Sequence, residues 1–182
     1  LGHTPRQVKL ELAGAIRDAD PAPLLAAVLD GGLSYRRIGS FTAANAEAIA
    51  ASHGIAVSTA RIPDAQEYAS YVRLSADGIE VAATLYGTEH IPRIISLLDY
   101  KIDIAPAKQS LVFEYVDGPG RIGTIGTILG KVGVNITTMQ IGTKPSEDCA
   151  LVYMNVDRPV DDEVLSALFS TIELRNLWRL VL

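Results

Sequence analysis

The sequence predicts an α+β protein with two domains, an α/β domain with a mixed sheet over residues 1–107 and a second domain over 108–182. Turn signals and alternating apolar residues carry the prediction for the first part. In the second part the elements run β-α-β-β-α-β, the order of an antiparallel sheet with both helices on one face, the ferredoxin-like split βαβ arrangement. The two parts meet at a short Ala/Pro/polar connector, residues 105–110.

The elements of the first domain are predicted from alternating apolar and polar residues and from glycines that mark the ends of helices and strands. Strands are predicted at 8–14, 55–62, 68–74, 79–86, 91–98 and 101–104, and short helices at 21–29 and 45–52. The Gly31-Gly32 pair is expected to stop the first helix, and Thr42 to cap the second. Ala76-Asp77-Gly78 is a hairpin signal between two strands.

The second domain has clearer periodicity. Strands are predicted at 111–116, 135–141, 149–156 and 174–181, and the second helix at 160–171. Four apolar residues recur at helical spacing and predict the buried face of the first helix, namely Ile122, Ile125, Leu129 and Val132. A second stripe on that helix consists of Gly123, Gly126 and Gly130. Each glycine inside a helix costs about 1 kcal/mol against alanine, so the stripe indicates either close packing on the sheet or the approach of a ligand or partner backbone.

Composition excludes several classes of function. The formal net charge of −5 and the pI near 5.2 argue against a nucleic-acid surface. No apolar run reaches membrane-spanning length. The single cysteine, Cys149, allows no internal disulfide and fits a reducing, cytoplasmic compartment. Because the chain starts at Leu1 without methionine or a signal-peptide pattern, we interpret it as a piece of a longer polypeptide.

The most informative segment is the turn Gly118-Pro119-Gly120, which joins a strand to a helix. Its glycines permit backbone angles that other residues avoid, and the proline can start a helix. The helix start leaves N–H groups unpaired, which suit a carboxylate. Asp117 precedes the turn and supplies an acceptor for an ammonium group.

Two further side chains are expected to lie in the same small region as this turn. Tyr115 ends the strand with a phenol, and Asn135 offers both donor and acceptor at the head of the next strand. Together these groups meet the needs of a small zwitterion. The alternative is that Asp117 only caps the helix and Asn135 only satisfies a turn, and chemistry alone leaves both open.

Catalysis by this chain is not expected. No nucleophile–base pair is evident, so no catalytic residue is predicted. The histidines His3, His53 and His90 lack the spacing of metal ligands, and no metal site is predicted. Cys149 lies in a predicted buried strand without a basic neighbour, which favours an inert thiol.

The residues of the second domain also resemble a known family. Asp-Gly-Pro-Gly-x-Ile-Gly-x-Ile from Asp117, followed by Gly-Val-Asn-Ile from Gly133, resembles the signature of ACT domains, small βαββαβ modules that bind amino acids and regulate metabolic enzymes. The likeness covers residues 109–182. It is fairly specific, because the turn, the helix pattern and the second motif occur in order.

The first domain sharpens this resemblance. A hairpin ending in Thr84-Leu85-Tyr86-Gly87, a segment with Arg93 and a connector into an ACT domain are similar to the long bacterial form of the D-3-phosphoglycerate dehydrogenase family. That form has an intervening domain before its ACT domain. The resemblance implies an NAD-dependent parent enzyme of L-serine biosynthesis, with the NAD-binding and substrate domains outside this chain and no cofactor here. No glycine-rich dinucleotide loop is present.

The resemblance also implies roles for individual residues. Tyr115, Asp117 and Asn135 match positions that contact the feedback inhibitor L-serine, which lies between two ACT domains joined in one sheet. The resemblance implies that Asn135 comes from one subunit and the turn from the other. Homodimers through ACT domains and a tetrameric parent would follow. Arg93 matches a position that binds a phosphorylated or other anionic effector, and Lys101 is a weaker candidate for the same site. Both are equally interpretable as solvated charges.

Other assignments remain open. The chain is also compatible with the regulatory region of another serine-handling enzyme, such as an iron–sulfur L-serine dehydratase, although the cluster cysteines are missing. An independent enzyme would need a nucleophile–base pair, and the sequence shows none. A nucleic-acid-binding ferredoxin-like domain lacks both positive charge and strand aromatics in the required pattern.

Overall fold

The computed structural model describes residues 4–33, 40–65, 67–144 and 148–182. The chain forms two compact units, Leu1–His90 and Ile91–Leu182. The first unit contains β1 (Gln7–Gly14), α1 (Ala22–Leu33), α2 (Ala46–Ser52), β2 (Ala56–Ile62), β3 (Ser70–Ala76) and β4 (Ile79–Tyr86). The second contains β5 (Ile91–Leu97), β6 (Tyr100–Ile104), β7 (Gln109–Val116), α3 (Arg121–Lys131), β8 (Ile136–Thr143), β9 (Cys149–Val156), α4 (Asp162–Thr171) and β10 (Leu174–Val181).

The first unit is built on the mixed sheet that the sequence predicts, with strand order β2-β1-β3-β4. Strand β1 runs parallel to β2 and antiparallel to β3, so Leu10 lies opposite both Thr59 and Leu74. Helices α1 and α2 make the crossover between the parallel strands β1 and β2. Leu10, Leu25 and Leu29 are buried in the core beneath them.

Two predicted helix boundaries in this unit are wrong. Helix α1 continues through Gly31-Gly32 to Leu33, which is 2% exposed. Burial of that leucine offsets the helix propensity lost at the two glycines. Thr42 does not cap α2, because Asn45 occupies the N-cap position and its Oδ1 accepts the Thr42 N–H at 2.7 Å.

The second unit has the predicted four-stranded antiparallel sheet, in the order β10-β7-β9-β8, with α3 and α4 on one face. The core between helices and sheet contains Phe113, Ile125, Leu129 and Val152, all at 0% exposure. Val132, predicted as part of this face, is instead 50% exposed, since α3 ends beside it.

The opposite face of this sheet is covered by the hairpin β5–β6. Tyr100, Ile102 and Ile104 of β6 pack against Leu151 and Tyr153 of β9. This cover explains why all eight residues of β9 are buried, whereas a sheet open on one side would alternate. The sequence assigns β5 and β6 to the domain 1–107, but the contacts group them with the second unit. The boundary at 107/108 stays a prediction.

Candidate functional site

The glycine turn opens helix α3, as the sequence predicts. Gly120 is at the N-cap position with φ 83°, a left-handed conformation that glycine adopts without strain. Its carbonyl accepts the Thr124 N–H at 2.9 Å. Within the described residues, the N–H groups of Ile122 and Gly123 have no acceptor. The turn therefore offers two neighbouring donors at the positive end of the helix dipole.

Asp117 is exposed beside this turn and is held in place through both its backbone and its side chain. Its N–H donates to the Asp148 carbonyl at 2.8 Å, and its Oδ1 accepts the Gly118 N–H at 2.9 Å. The helix α3 has no side-chain cap hydrogen bond. The Asp117 carboxylate binds the turn at Gly118 and not the N–H groups of the helix, so a capping role does not account for this residue.

Tyr115 lies directly beneath Asp117. Its side chain is 1% exposed, and its ring packs edge-on against Phe113 with centroids 6.1 Å apart. Burial, followed by the Asp117 carboxylate that accepts a hydrogen bond from the phenol, raises the pKa of Tyr115 to about 12, against a smaller opposing effect of Arg121. The phenol is therefore neutral and supports the carboxylate in this chain. Direct contact with a ligand stays a prediction.

Arg121 is a charged neighbour that the sequence reasoning did not single out. It is the first residue of α3, and its Nη2 lies 3.5 Å from Oε2 of Glu173. Its Nε lies close to the turn, since a Cβ built on Gly118 would be 3.9 Å from it. Its position inside the motif, directly after Gly120, was the signal that could have identified it.

Asn135 is fixed through its backbone rather than its side chain. Its N–H donates to Oδ1 of Asp157 at 2.9 Å, and its carbonyl accepts the Asp157 N–H at 3.1 Å. The neighbouring Arg158 guanidinium, and then the Asn135 N–H, lower the pKa of Asp157. The exposed Asn135 amide has no hydrogen bond to the described residues, so it is available to a ligand. Sequence reasoning missed both Asp157 and Arg158.

The structure separates Asp117 from Asn135 within one chain, contrary to the expectation from their chemistry alone that they share one small region. Strand β9 pairs with β7 through Cys149↔Val116 at one end and with β8 through Val156↔Ile136 at the other. These residues are the two ends of an eight-residue strand, about 20 Å apart at roughly 3.3 Å per residue. The turn and the amide thus lie at opposite ends of one sheet.

The residues of the predicted anion site lie on the hairpin β5–β6. Nε of Arg93 donates to Oδ1 of Asp103 at 2.6 Å, and its Nη2 donates to the Asp103 carbonyl at 2.8 Å. Lys101 is exposed on β6, opposite Ser96, and forms no ion pair with the described residues. An anion would therefore meet one free cation and one guanidinium already neutralised by Asp103.

The described ranges lack two kinds of functional feature. No helix among them is both long and apolar enough to span a bilayer. No three His, Cys, Asp or Glu side chains in those ranges come together as a metal site would require. His3 lies outside the described residues.

Comparison with known proteins defines the class of the second unit. Residues 109–173 match the ACT domain family, consistent with the βαββαβ order and the turn described above. Residues 3–97 match the D-3-phosphoglycerate dehydrogenase intervening domain. The chain thus belongs to the D-3-phosphoglycerate dehydrogenase intervening-domain family, with an ACT domain following.

Individual relatives agree with this assignment. D-3-phosphoglycerate dehydrogenase of Mycobacterium tuberculosis is 28% identical over 178 residues, 95% of this chain and 34% of the relative. The Bacillus subtilis protein of the same name is 27% identical over 167 residues, 90% of this chain and 32% of the relative. The Synechocystis protein is 31% identical over 160 residues, 86% of this chain and 29% of the relative. The chain spans about a third of the length of these relatives.

Proposed function

We propose that this chain is the allosteric regulatory region of a cytoplasmic D-3-phosphoglycerate dehydrogenase. The parent enzyme would use NAD in the first step of L-serine biosynthesis from 3-phosphoglycerate, with catalysis outside this chain. L-Serine would bind as feedback inhibitor between two ACT domains of a dimer, within a tetrameric parent. The relatives' shared name and the two matched families support the enzyme assignment.

The observation that carries the dimer proposal is the separation of Asp117 from Asn135 along one sheet. Strand β8 is an edge strand whose outer side has no strand partner among the described residues. If β8 pairs antiparallel with β8 of a second copy, its Ile136 end meets the partner's Thr143 end. Thr143 is level with Ala150, which adjoins the end of β7. Asn135 of the partner subunit would thereby approach Asp117.

The glycine stripe of α3 supports the same arrangement. Gly123, Gly126 and Gly130 are exposed, and a Cβ built on any of them meets nothing within 4 Å. Close packing on the chain's own sheet therefore does not account for the stripe. Ile128 and Lys131 line a cavity shared with α4, which leaves the glycine flank free for a partner backbone.

The chemistry of the combined site suits serine. The Asp117 carboxylate would accept the ammonium group in a charge-assisted hydrogen bond. The N–H groups of Ile122 and Gly123 would bind the carboxylate at the start of the helix. Asn135 of the partner subunit would bind the carboxylate or the hydroxyl. A preference for one quaternary state of about 1–3 kcal/mol would suffice for regulation.

Other ligands and parents have less support. An anionic effector at Arg93 and Lys101 would first have to displace Asp103 from Arg93. No structural observation favours the regulatory region of an iron–sulfur L-serine dehydratase. The match to the D-3-phosphoglycerate dehydrogenase intervening domain favours the first assignment.

A subunit-mixing experiment tests the proposal. Asp117→Ala and Asn135→Ala would each abolish serine binding by the homodimer, measured by calorimetry. If each site takes Asp117 from one chain and Asn135 from the other, a heterodimer of the two variants has one intact site. Mixing the two inactive proteins and allowing exchange should therefore restore serine binding. Sedimentation would confirm the dimers.

The control is Glu47→Ala, which removes an exposed carboxylate on α2 and should leave binding intact. A site formed within one chain predicts no restoration on mixing, and that result would reject the shared site. Absence of serine binding by the dimeric unmodified chain would reject the proposed ligand.

A further inference from the structure

A cavity of about 520 Å³ lies between the end of α3 and the start of α4. Its volume is within the range of small-molecule sites, about 300–1,000 Å³. Its apolar wall consists of Ile128, Val132, Val134, Pro159, Val164 and Ala167. All of these residues belong to the second unit.

Val132 makes this wall unusual. Helical spacing predicts that its side chain is buried, yet it is 50% exposed. Val134, two residues further on, is 8% exposed and continues the same wall towards the sheet. The cavity therefore presents to solvent an apolar surface that a ligand's hydrocarbon body would cover favourably.

Four charged side chains complete the lining, two cations and two carboxylates. Lys131 ends α3, Arg158 follows β9, and Asp161 and Glu163 lie at the start of α4. Within the described residues, no ion pair joins either cation to either carboxylate. Arg158 pairs instead with Asp157, whereas Lys131 and Glu163 have no ion partner in the described ranges.

Lys131 on one side and Asp161 and Glu163 on the other leave opposite charges, unpaired within the described ranges, beside an apolar wall, an arrangement complementary to one kind of small molecule. Because these unpaired charges of both signs face the cavity, neither a simple anion nor a simple cation can satisfy all of them. A dipolar ligand can place its carboxylate near Lys131 and its ammonium near Asp161 and Glu163. The apolar wall then requires an aliphatic body between or beyond the two charges.

We propose that this cavity binds a zwitterionic amino acid with a branched aliphatic side chain. The site differs from the serine site, since it lies on the α4 side of α3 and uses neither Asp117 nor the Asn135 side chain. It does not depend on dimer formation. Serine itself lacks the hydrocarbon body that this wall would cover.

The test is a titration of the 182-residue chain with L-leucine, followed by amide NMR shifts. Shifts at Val132, Val134 and Val164 are expected. Isocaproate, which lacks the ammonium group, and isoamylamine, which lacks the carboxylate, should each bind at least about tenfold more weakly, a loss of about 1.4 kcal/mol. L-Serine should leave the Val164 amide unshifted, because Val164 lies on α4, away from the proposed serine site.

Variants separate the apolar and charged parts of the site. Val132→Ser, Lys131→Gln and Glu163→Gln should each weaken leucine binding at least about tenfold, and all three positions are exposed enough to keep the fold. Lys108→Gln, an exposed cation outside the cavity, is the matched control and should bind normally. No shifts with leucine, equal binding of the single-charge analogues, or shifts confined to residues 117–123 would each overturn the proposal.

Discussion

The phenol of Tyr100 donates a 2.8 Å hydrogen bond to Oε1 of Glu114, which joins the hairpin β5–β6 to the central strand β7. Tyr100 is fully buried, at 0% exposure. Oε2 of the same carboxylate accepts the Asn176 Nδ2–H at 2.8 Å. One carboxylate thus ties the hairpin to two strands of the sheet.

A second polar link acts on the same unit. Oδ1 of Asn155 accepts the Ser110 hydroxyl at 2.8 Å, and its Nδ2 donates to the Ala105 carbonyl at 2.9 Å. Asn155 is 5% exposed, so these bonds form in a largely dry environment, where unmade hydrogen bonds are costly. The predicted connector is therefore held on the sheet at Ala105.

Loss of the Tyr100 hydroxyl should destabilise the second unit. Tyr100→Phe keeps the ring but leaves one oxygen of Glu114 without its buried donor, at a cost of about 1–2 kcal/mol. Urea unfolding followed by fluorescence and circular dichroism measures the change. Tyr86→Phe is the matched control, because Tyr86 is 66% exposed. Equal stability of the two variants would show that the Tyr100–Glu114 bond contributes nothing.

Gly14 should tolerate no side chain. It has φ 67°, and a Cβ there would overlap the Ala69 carbonyl oxygen and lie 2.6 Å from the Ala65 Cβ. Gly14→Ala should therefore cost at least about 2 kcal/mol, from backbone strain together with overpacking. Gly54→Ala isolates the backbone part, since Gly54 has φ 73° but open space around it. If chemical unfolding gave the same loss of stability for both variants, overlap with Ala65 and Ala69 would not contribute to the effect of Gly14→Ala.

A methyl group added to the glycine stripe of α3 is expected to raise the stability of the isolated chain and to weaken the dimer. Gly126→Ala should stabilise the isolated chain by about 1 kcal/mol through helix propensity, since the new methyl group meets nothing within 4 Å. It should weaken the dimer, because the methyl group would keep the partner from α3. Unfolding at low protein concentration and sedimentation equilibrium measure the two effects separately.

Gly32→Ala is the control for this change. Gly32 is also a helical glycine with open space, but it lies on α1 in the first unit. It should raise stability without altering association. A Gly126→Ala chain that dimerises as tightly as the unmodified one would remove the stripe from the proposed interface.

The pKa of Tyr115 predicts how stability responds to alkaline pH. The native phenol ionises near pH 12 and an unfolded one near pH 10, so the native state keeps a proton that the unfolded state has lost. The contribution to stability is complete below about pH 10 and falls as the pH rises towards about 12. Burial also raises the pKa of Tyr153, which adds a fall of the same sign.

Tyr115→Phe should make this alkaline loss smaller, as measured by denaturant unfolding across the alkaline range. Tyr86→Phe should leave the loss unchanged, because Tyr86 is exposed. An alkaline profile identical to that of the unmodified chain would mean that Tyr115 is not the titrating group.

The second unit's sheet and helices were predictable because local signals and burial agree there. Ile125 and Leu129 follow helical spacing and are buried, and the glycine turn begins α3 as expected. Errors arose where tertiary contacts outweighed local preference. Leu33 carries α1 past Gly31-Gly32 because its burial offsets the glycine cost, and Val132 is exposed because α3 ends at a cavity.

In the candidate site too, sequence patterns identified some residues, and tertiary contacts were needed to find others. Motif and chemistry identified Asp117 and Asn135 as candidates, but chemistry alone placed them in one small region, whereas strand register puts them at opposite ends of β9. Asp157, Arg158 and Arg121 were missed because single charged residues after a strand or at a helix start are common. Only their contacts distinguish them.

The order of elements and the mixed and antiparallel sheets were predictable from local patterns in the chain, whereas the residues proposed to bind a zwitterion stay a prediction. The order and the sheets depend on hydrophobic period, turn chemistry and side-chain type, which are local properties of the chain. Tertiary contacts were needed to learn that β5–β6 covers the second sheet and that Arg93 is paired with Asp103, and they place Asp117 and Asn135 apart within one chain. Those outcomes depend on which surfaces pack together over long sequence separations, and no local pattern encodes that choice.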